Sequence, residues 1–192
     1  MGLRERKKTE TRAALAAAAL RLALEKGVDD VRVDEIAEAA NVSPRTYNNY
    51  FPSREHAVVA GITAERALKV VEELRSRPAD EPLVESIVAA FAEQYREPPS
   101  EAQALITSTP SLREAYLDSV TSMEPPIAEV IAERLGVSEL GATVLAAAVS
   151  AAARIAVRRW VDVRPSGLVV VPAQSVEDLL REAIGHLAPA LR

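Results

Sequence analysis

The segment NVSPRTYNNYFPSRE, residues 41–55, concentrates groups that hydrogen-bond to nucleic acid. Arg45 brings a guanidinium, Asn48 and Asn49 bring amides, Tyr47 and Tyr50 bring phenols, Ser43 brings a hydroxyl, and Arg54 adds a second guanidinium. A guanidinium pairs bidentately with the guanine O6/N7 edge and an amide with the adenine N6/N7 edge, and all of these groups reach phosphate oxygens. No carboxylate stands between Asn41 and Arg54, so nothing within the run repels a phosphate backbone. The chain has four Tyr, two Phe and one Trp, and three of these (Tyr47, Tyr50 and Phe51) fall here. Their placement implies a small helix that needs a firm apolar anchor.

Other chemistry is poorly supplied. The 192 residues contain no cysteine and two histidines, His56 and His186, far apart in sequence. That leaves no disulfide, no thiolate or local metal site and no nucleophile motif, and no Gly-rich phosphate loop is present. The chain therefore reads as a non-enzyme without metal or cofactor. The net charge of −5 argues against a nucleic-acid binder, but its distribution does not. Residues 1–56 hold ten Lys/Arg and nine Asp/Glu, a net +1, which leaves −6 for the remainder. Arg4, Arg6, Lys7 and Lys8 read as a mobile basic arm supplying non-specific attraction. The RERKK start followed by AALAAAALRLAL imitates a signal peptide, but Arg21, Glu25 and Lys26 interrupt it and no cleavage site follows. No apolar run is expected to approach the roughly 20 residues that cross a bilayer. The expected location is the cytoplasm, with no membrane partner.

The elements that must position the polar run read at helical period almost throughout. One helix is expected from about Arg6 to Lys26, stopped by Gly27, with Leu15, Ala18, Ala19, Leu22 and Ala23 in a stripe. A second is expected over Val33–Ala40. Asn41 and Val42 make a turn, Ser43 caps a third helix and Pro44 opens it, where a missing N–H costs nothing. Pro52 and Ser53 then lead into a long helix from Arg54. Two helices joined by so short a turn form a helix-turn-helix. Thr46, Tyr47 and Phe51 are its expected core, leaving Arg45, Asn48, Asn49 and Tyr50 to project outward.

The stretch VDEIAEAANVSPRTYNNYFPSRE resembles the DNA-binding signature of the tetracycline-repressor (TetR) family, sharply over about residues 9–60. The resemblance implies an all-α protein of about nine helices. A three-helix DNA-binding domain would occupy residues 1–53, and a helical ligand-binding and dimerisation domain residues 54–192. Against the family pattern, Asn41 and Arg45 stand where Gly is frequent, Asn48 takes a usual Tyr position, Arg32 replaces Thr and Arg54 replaces Lys. Arg45 is the expected base reader. Asn48 and Asn49 read adenine or bind phosphate. Tyr50 donates to phosphate or packs, and Tyr47 packs more than it reads. Arg54, a cation at a helix N-terminus, would gain from a bound phosphate. Ser43 combines cap and phosphate donor, Thr11 touches the backbone by resemblance, and Arg12 and Arg32 are secondary candidates.

Beyond residue 78 the pattern predicts further helices over 83–97, 100–107, 111–135 with a kink at Pro125-Pro126, 139–162, and 176–191. The run 139–162 is apolar on nearly every side, which asks for two packing partners. One is the core; the other is expected to be a second subunit, through Ala148, Ala151, Ala152, Leu180, Ala183 and Leu187. A two-fold dimer would place two recognition helices on a pseudo-palindromic duplex. The resemblance further implies a cavity for an unknown small effector, mainly apolar. Its candidate lining is Phe91, Tyr95, Leu105, Tyr116, Met123, Trp160 and Arg154, the one charged residue on the apolar helix before Arg158. The competing reading is a helical interaction module whose helix-turn-helix docks on protein. The only β-like run is GLVVVP, 167–172.

Overall fold

The computed structural model describes residues 2–96, 100–162 and 174–191. Among them the chain is all-helical. α1 spans Leu3–Lys26, α2 Val33–Ala39, α3 Pro44–Tyr47, α4 Arg54–Ser76, α5 Leu83–Glu93, α6 Glu101–Ser108, α7 Pro110–Ser119, α8 Glu124–Leu135, α9 Glu139–Asp162 and α10 Val176–Gly185. Single 3-10 turns lie at Val28–Asp30, Val120–Met123 and Ala188–Ala190. The GLVVVP run lies outside the described residues.

The helices form two compact units. The first takes residues 1–64 and 99–119, which include α1 to α3, the first half of α4, α6 and α7. Its core is built from Leu15, Ala19 and Ala23 of α1, Ile36 and Ala37 of α2, Tyr47 and Phe51, and Ala57, Val58 and Ile62 of α4. Leu22, expected on the α1 stripe, is half-buried. α1 ends at Gly27 with φ +89°, a conformation strained for any residue carrying a Cβ. The second unit takes residues 65–98 and 120–192. There α9 packs against α8 and α10, and α10 also packs against α5. Ile87, Ile127, Ile131, Val149, Leu180 and Ile184 are fully buried at its centre.

Four expectations are corrected. Arg4, Arg6, Lys7 and Lys8 are not a free arm: they form the first turns of α1, where no Gly or Pro interrupts and Arg6 pairs with Glu10 at 3.4 Å. The segment 111–135 is two helices rather than one kinked helix, because Pro125 and Pro126 fall in the first turn of α8, where their missing N–H groups are harmless. The last helix stops at Gly185, since Pro189 cannot donate to the Gly185 carbonyl, and the chain continues as a 3-10 turn over Ala188–Ala190. Finally, Glu139–Trp160 of α9 is long and apolar enough to cross a bilayer, with a mean hydropathy of 1.8. Arg154 lies within it, and one face packs into the helical core of its own unit.

Candidate nucleic-acid interface

α3 is a single turn, and its local chemistry explains why it forms at all. Ser43 Oγ accepts from the Thr46 N–H at 3.1 Å and stands 2.9 Å from Thr46 Oγ1. Pro44 supplies a preset φ at the first position. Asn41, at φ +55°, makes the sharp turn from α2, and Val42 N–H bonds back to the Ala37 carbonyl at 2.9 Å. Asn tolerates this left-handed region better than other non-glycine residues. Helix geometry ends sooner than the spacing predicts. Asn48 caps α3, and Asn49 and Tyr50 lie in the following turn, with N–H groups bonded to the Thr46 and Tyr47 carbonyls at 3.1 and 2.8 Å.

Two rings seat this element. Tyr47 is 1% exposed and Phe51 2%, with centroids 5.9 Å apart. Tyr47 therefore packs and does not read bases. Its hydroxyl is buried without a partner among the described residues, and burial, with Glu55 nearby, pushes its phenol up to about 12. Above the rings, Ser43, Arg45, Asn48 and Asn49 are exposed, while Tyr50 and Thr46 are half-buried. The Arg45 guanidinium engages no partner among the described residues. Lys7 and Lys8 are exposed on the first turns of α1, and Thr11 donates back to the Lys7 carbonyl at 2.8 Å.

The other cations are placed differently. Arg32 is exposed at the start of α2, and because a guanidinium cannot accept, only half of a capping box forms there: Arg32 N–H donates to the Glu35 carboxylate at 2.9 Å. Glu35 also receives Lys26 Nζ at 2.6 Å, which links α1 to α2 and lowers the Glu35 pKa, the Lys26 hydrogen bond acting ahead of the Arg32 one. Arg54 turns inward. Nε donates to Glu55 at 2.9 Å, Nη1 donates to the Asp29 and Val31 carbonyls at 2.8 and 3.0 Å, and Nη2 lies 3.7 Å from Asp29 Oδ1. Its conflict with the α4 dipole is thus answered inside the molecule, without phosphate. Arg12 donates Nη1 to the Tyr50 carbonyl at 3.0 Å and lies 4.4 Å over the Phe51 ring.

Sequence reasoning passed over Asp34 and Glu38. With Asn41, Val42, Ser43 and Pro44 they line an open hollow of about 420 Å3 beside the start of α3. Their spacing of four on a helix was the available signal. Such carboxylates accept from a cytosine N4 amino group and repel phosphates.

The remaining expected site residues divide between the units. Leu105 and Tyr116 belong to the first. In the second, Phe91 and Met123 are buried in the core, Tyr95 meets Trp160 edge-on at 5.3 Å, and Arg154 is half-buried. Of the expected interface residues, Ala151 is exposed, and Ala148, Ala152, Ala183 and Leu187 are half-buried. Leu180 is a correction: it is 0% exposed, inside the core of its own chain, so it has no surface to offer a second copy.

Residues 15–60 match the model of bacterial regulatory proteins of the tetR family, and residues 81–192 match the MftR C-terminal domain. The chain is 32% identical over 176 residues to the HTH-type transcriptional regulator TcmR of Streptomyces glaucescens, covering 83% of this chain and 76% of that protein. Its fold is similar to a TetR transcriptional regulator from Rhodococcus sp. RHA1, with a TM-score of 0.55, 17% identity and coverage of 94% of this chain and 97% of that one. It is also similar to Thermus thermophilus FadR, a TetR-family repressor solved with lauroyl-CoA, with a TM-score of 0.52, 19% identity and 93% coverage of both chains. With a helix-turn-helix head whose polar run between Asn41 and Arg54 carries no carboxylate and sits over two buried rings, and with a matching C-terminal region, the chain belongs to the TetR family of bacterial transcriptional regulators.

Proposed function

We propose that the protein is a dimeric repressor that binds a pseudo-palindromic operator and is released from it by a small, mainly apolar effector. In this reading residues 1–53 are the DNA-binding head, residues 54–192 bind the effector and dimerise, and the protein works in the cytoplasm, where its operator is. The observation that carries the reading is the exposed trio Arg45, Asn48 and Asn49, seated on buried Tyr47 and Phe51. Arg45 reads a guanine edge. Asn48 and Asn49 read adenine or hold phosphate. Ser43, Tyr50, Lys7, Lys8 and Thr11 contact the backbone, with Arg32 as an outer contact.

Dimerisation is supported by α9. Leu140, Val144 and Ile155 are 75%, 59% and 64% exposed, and with Ala147 and Ala151 they fall on one face that is open among the described residues. A second copy of the chain covers that face, because a two-fold pairing is what presents two heads to two half-sites. The effector reading is supported by the fold shared with FadR, solved with lauroyl-CoA, whose lauroyl chain is apolar, and by the aromatic side chains of the second unit: Phe91, Tyr95 and Trp160, with Met123 in the same core. Arg154 completes the proposed effector-responsive set of this unit.

Selection of duplexes from a random pool tests this reading. The expected product is a pseudo-palindrome with half-sites about one helical turn apart, bound with an affinity that falls steeply with salt. No retained duplex at low salt would favour a head that docks on protein instead.

A further inference from the structure

α3 spans four residues, one turn, and a helix so short has almost no stability of its own. A recognition element of that length reads bases only if the surrounding structure holds it at a set angle. Two guanidiniums perform that task. Arg54 has spent Nε on Glu55 and Nη1 on two carbonyls of the segment entering α2, Asp29 and Val31, and its Nη2 faces the Asp29 carboxylate. With two carboxylates around it, its charge is already neutralised locally, so it has little left to offer a phosphate. It fastens the start of α2 to the start of α4, the two helices that flank α3 in sequence. Arg12 acts at the other end. It stacks on Phe51 and bonds the Tyr50 carbonyl, which fixes the turn that leaves α3 against α1.

We propose that Arg54 and Arg12 are positioning residues that brace the recognition turn from two sides, and that neither serves as a phosphate ligand. The inference rests on the DNA-binding reading above. It separates two kinds of cation around the recognition turn: Arg45, Lys7 and Lys8 face the duplex, and Arg54 and Arg12 face the protein. Both braces depend on the planar guanidinium fork, which supplies several donors in fixed directions and a face for stacking. A lysine keeps the charge but not the fork.

The test uses full-length protein, the duplex selected from the random pool, and a scrambled duplex of the same length. Affinity for both is measured against salt for wild type and for Arg54→Lys, Arg54→Gln, Arg12→Lys and Arg12→Gln, at a temperature where circular dichroism shows each variant folded. For a brace, the Lys and Gln variants alike lose about tenfold or more of the selected-over-scrambled ratio, on the scale of one base contact. Affinity for the scrambled duplex and the salt slope stay as in wild type. For a phosphate ligand, Gln lowers the slope by about 0.9, weakens both duplexes together, and Lys restores both; that result overturns the inference. A ratio unchanged in folded Lys variants also overturns it, since it leaves the arginines with a purely structural role. Wild-type protein that prefers no duplex sinks the DNA-binding reading and this inference together, whereas a wild-type preference that survives all four substitutions sinks the inference alone.

Discussion

Tyr47 shows how a single side chain can serve as anchor at some cost. Its ring fills the space under α3, but its hydroxyl is buried without a partner among the described residues. An unsatisfied buried donor loses its water and gains nothing back. Tyr47→Phe is therefore expected to leave stability unchanged or to raise it by about 1 kcal/mol, read as a melting midpoint at or above wild type. A loss of more than about 1 kcal/mol would mean that the hydroxyl has a bonding partner in solution. Arg45 is the opposite case, exposed and engaging no partner among the described residues. Arg45→Ala is expected to leave the melting midpoint in place and to relax preference at one base pair of each half-site, by about 1–3 kcal/mol in competition binding. Equal weakening on every duplex would reassign Arg45 to the phosphate backbone.

At the scale of elements, two contacts set how helices meet. Gly61 of α4 lies so close to α1 that an added Cβ would stand 2.6 Å from the Ala16 carbonyl oxygen and 2.8 Å from Leu20 Cβ. Backbone cannot give way as a side-chain tip can, so Gly61→Ala is expected to cost about 1–3 kcal/mol despite its better helix propensity. A denaturation midpoint equal to wild type would show that α1 and α4 separate freely. The second contact closes the turn between α4 and α5. Glu81 takes Arg77 Nε at 2.7 Å and the Ser86 hydroxyl at 2.6 Å, while Arg134 of α8 bonds Ser86 and the carbonyls of Pro78 and Glu81. The Arg77 hydrogen bond, then that from Ser86, lowers Glu81 from 4.5 to about 2. A folded-state value below the unfolded one means stability fully present above about pH 4.5 and lost as pH falls toward 2. Thermal melts across that window are expected to fall less steeply for Glu81→Gln than for wild type. Parallel curves would remove this carboxylate from the acid transition.

For the whole molecule, the proposed dimer supplies the sharpest expectation. Ile155 is exposed, so Ile155→Lys should leave each subunit folded. In a dimer the same lysine would be desolvated against apolar neighbours. Light scattering is expected to show wild type as dimer and the variant as largely monomer at micromolar concentration, with the variant losing most of its affinity for the full palindrome. A variant that stays dimeric would move the interface away from α9.

The sequence by itself determined the parts of this protein whose cause is local. Helical period marked nearly every helix, Gly27 and Ser43-Pro44 marked ends and starts through backbone preference, and the carboxylate-free run marked the exposed surface of the head. Partnership across the chain was not legible in that way. Arg54 and Arg12 read as surface cations until folding brought Asp29, Val31 and Tyr50 within bonding distance, 25, 23 and 38 residues away. Leu180 shared a stripe with Ala183 and Leu187, yet only packing decided which of them is sealed inside. Periodicity assigns a residue to a face of its helix; what covers that face, and where a long side chain spends its donors, depends on elements distant in sequence, so only the tertiary structure could decide it.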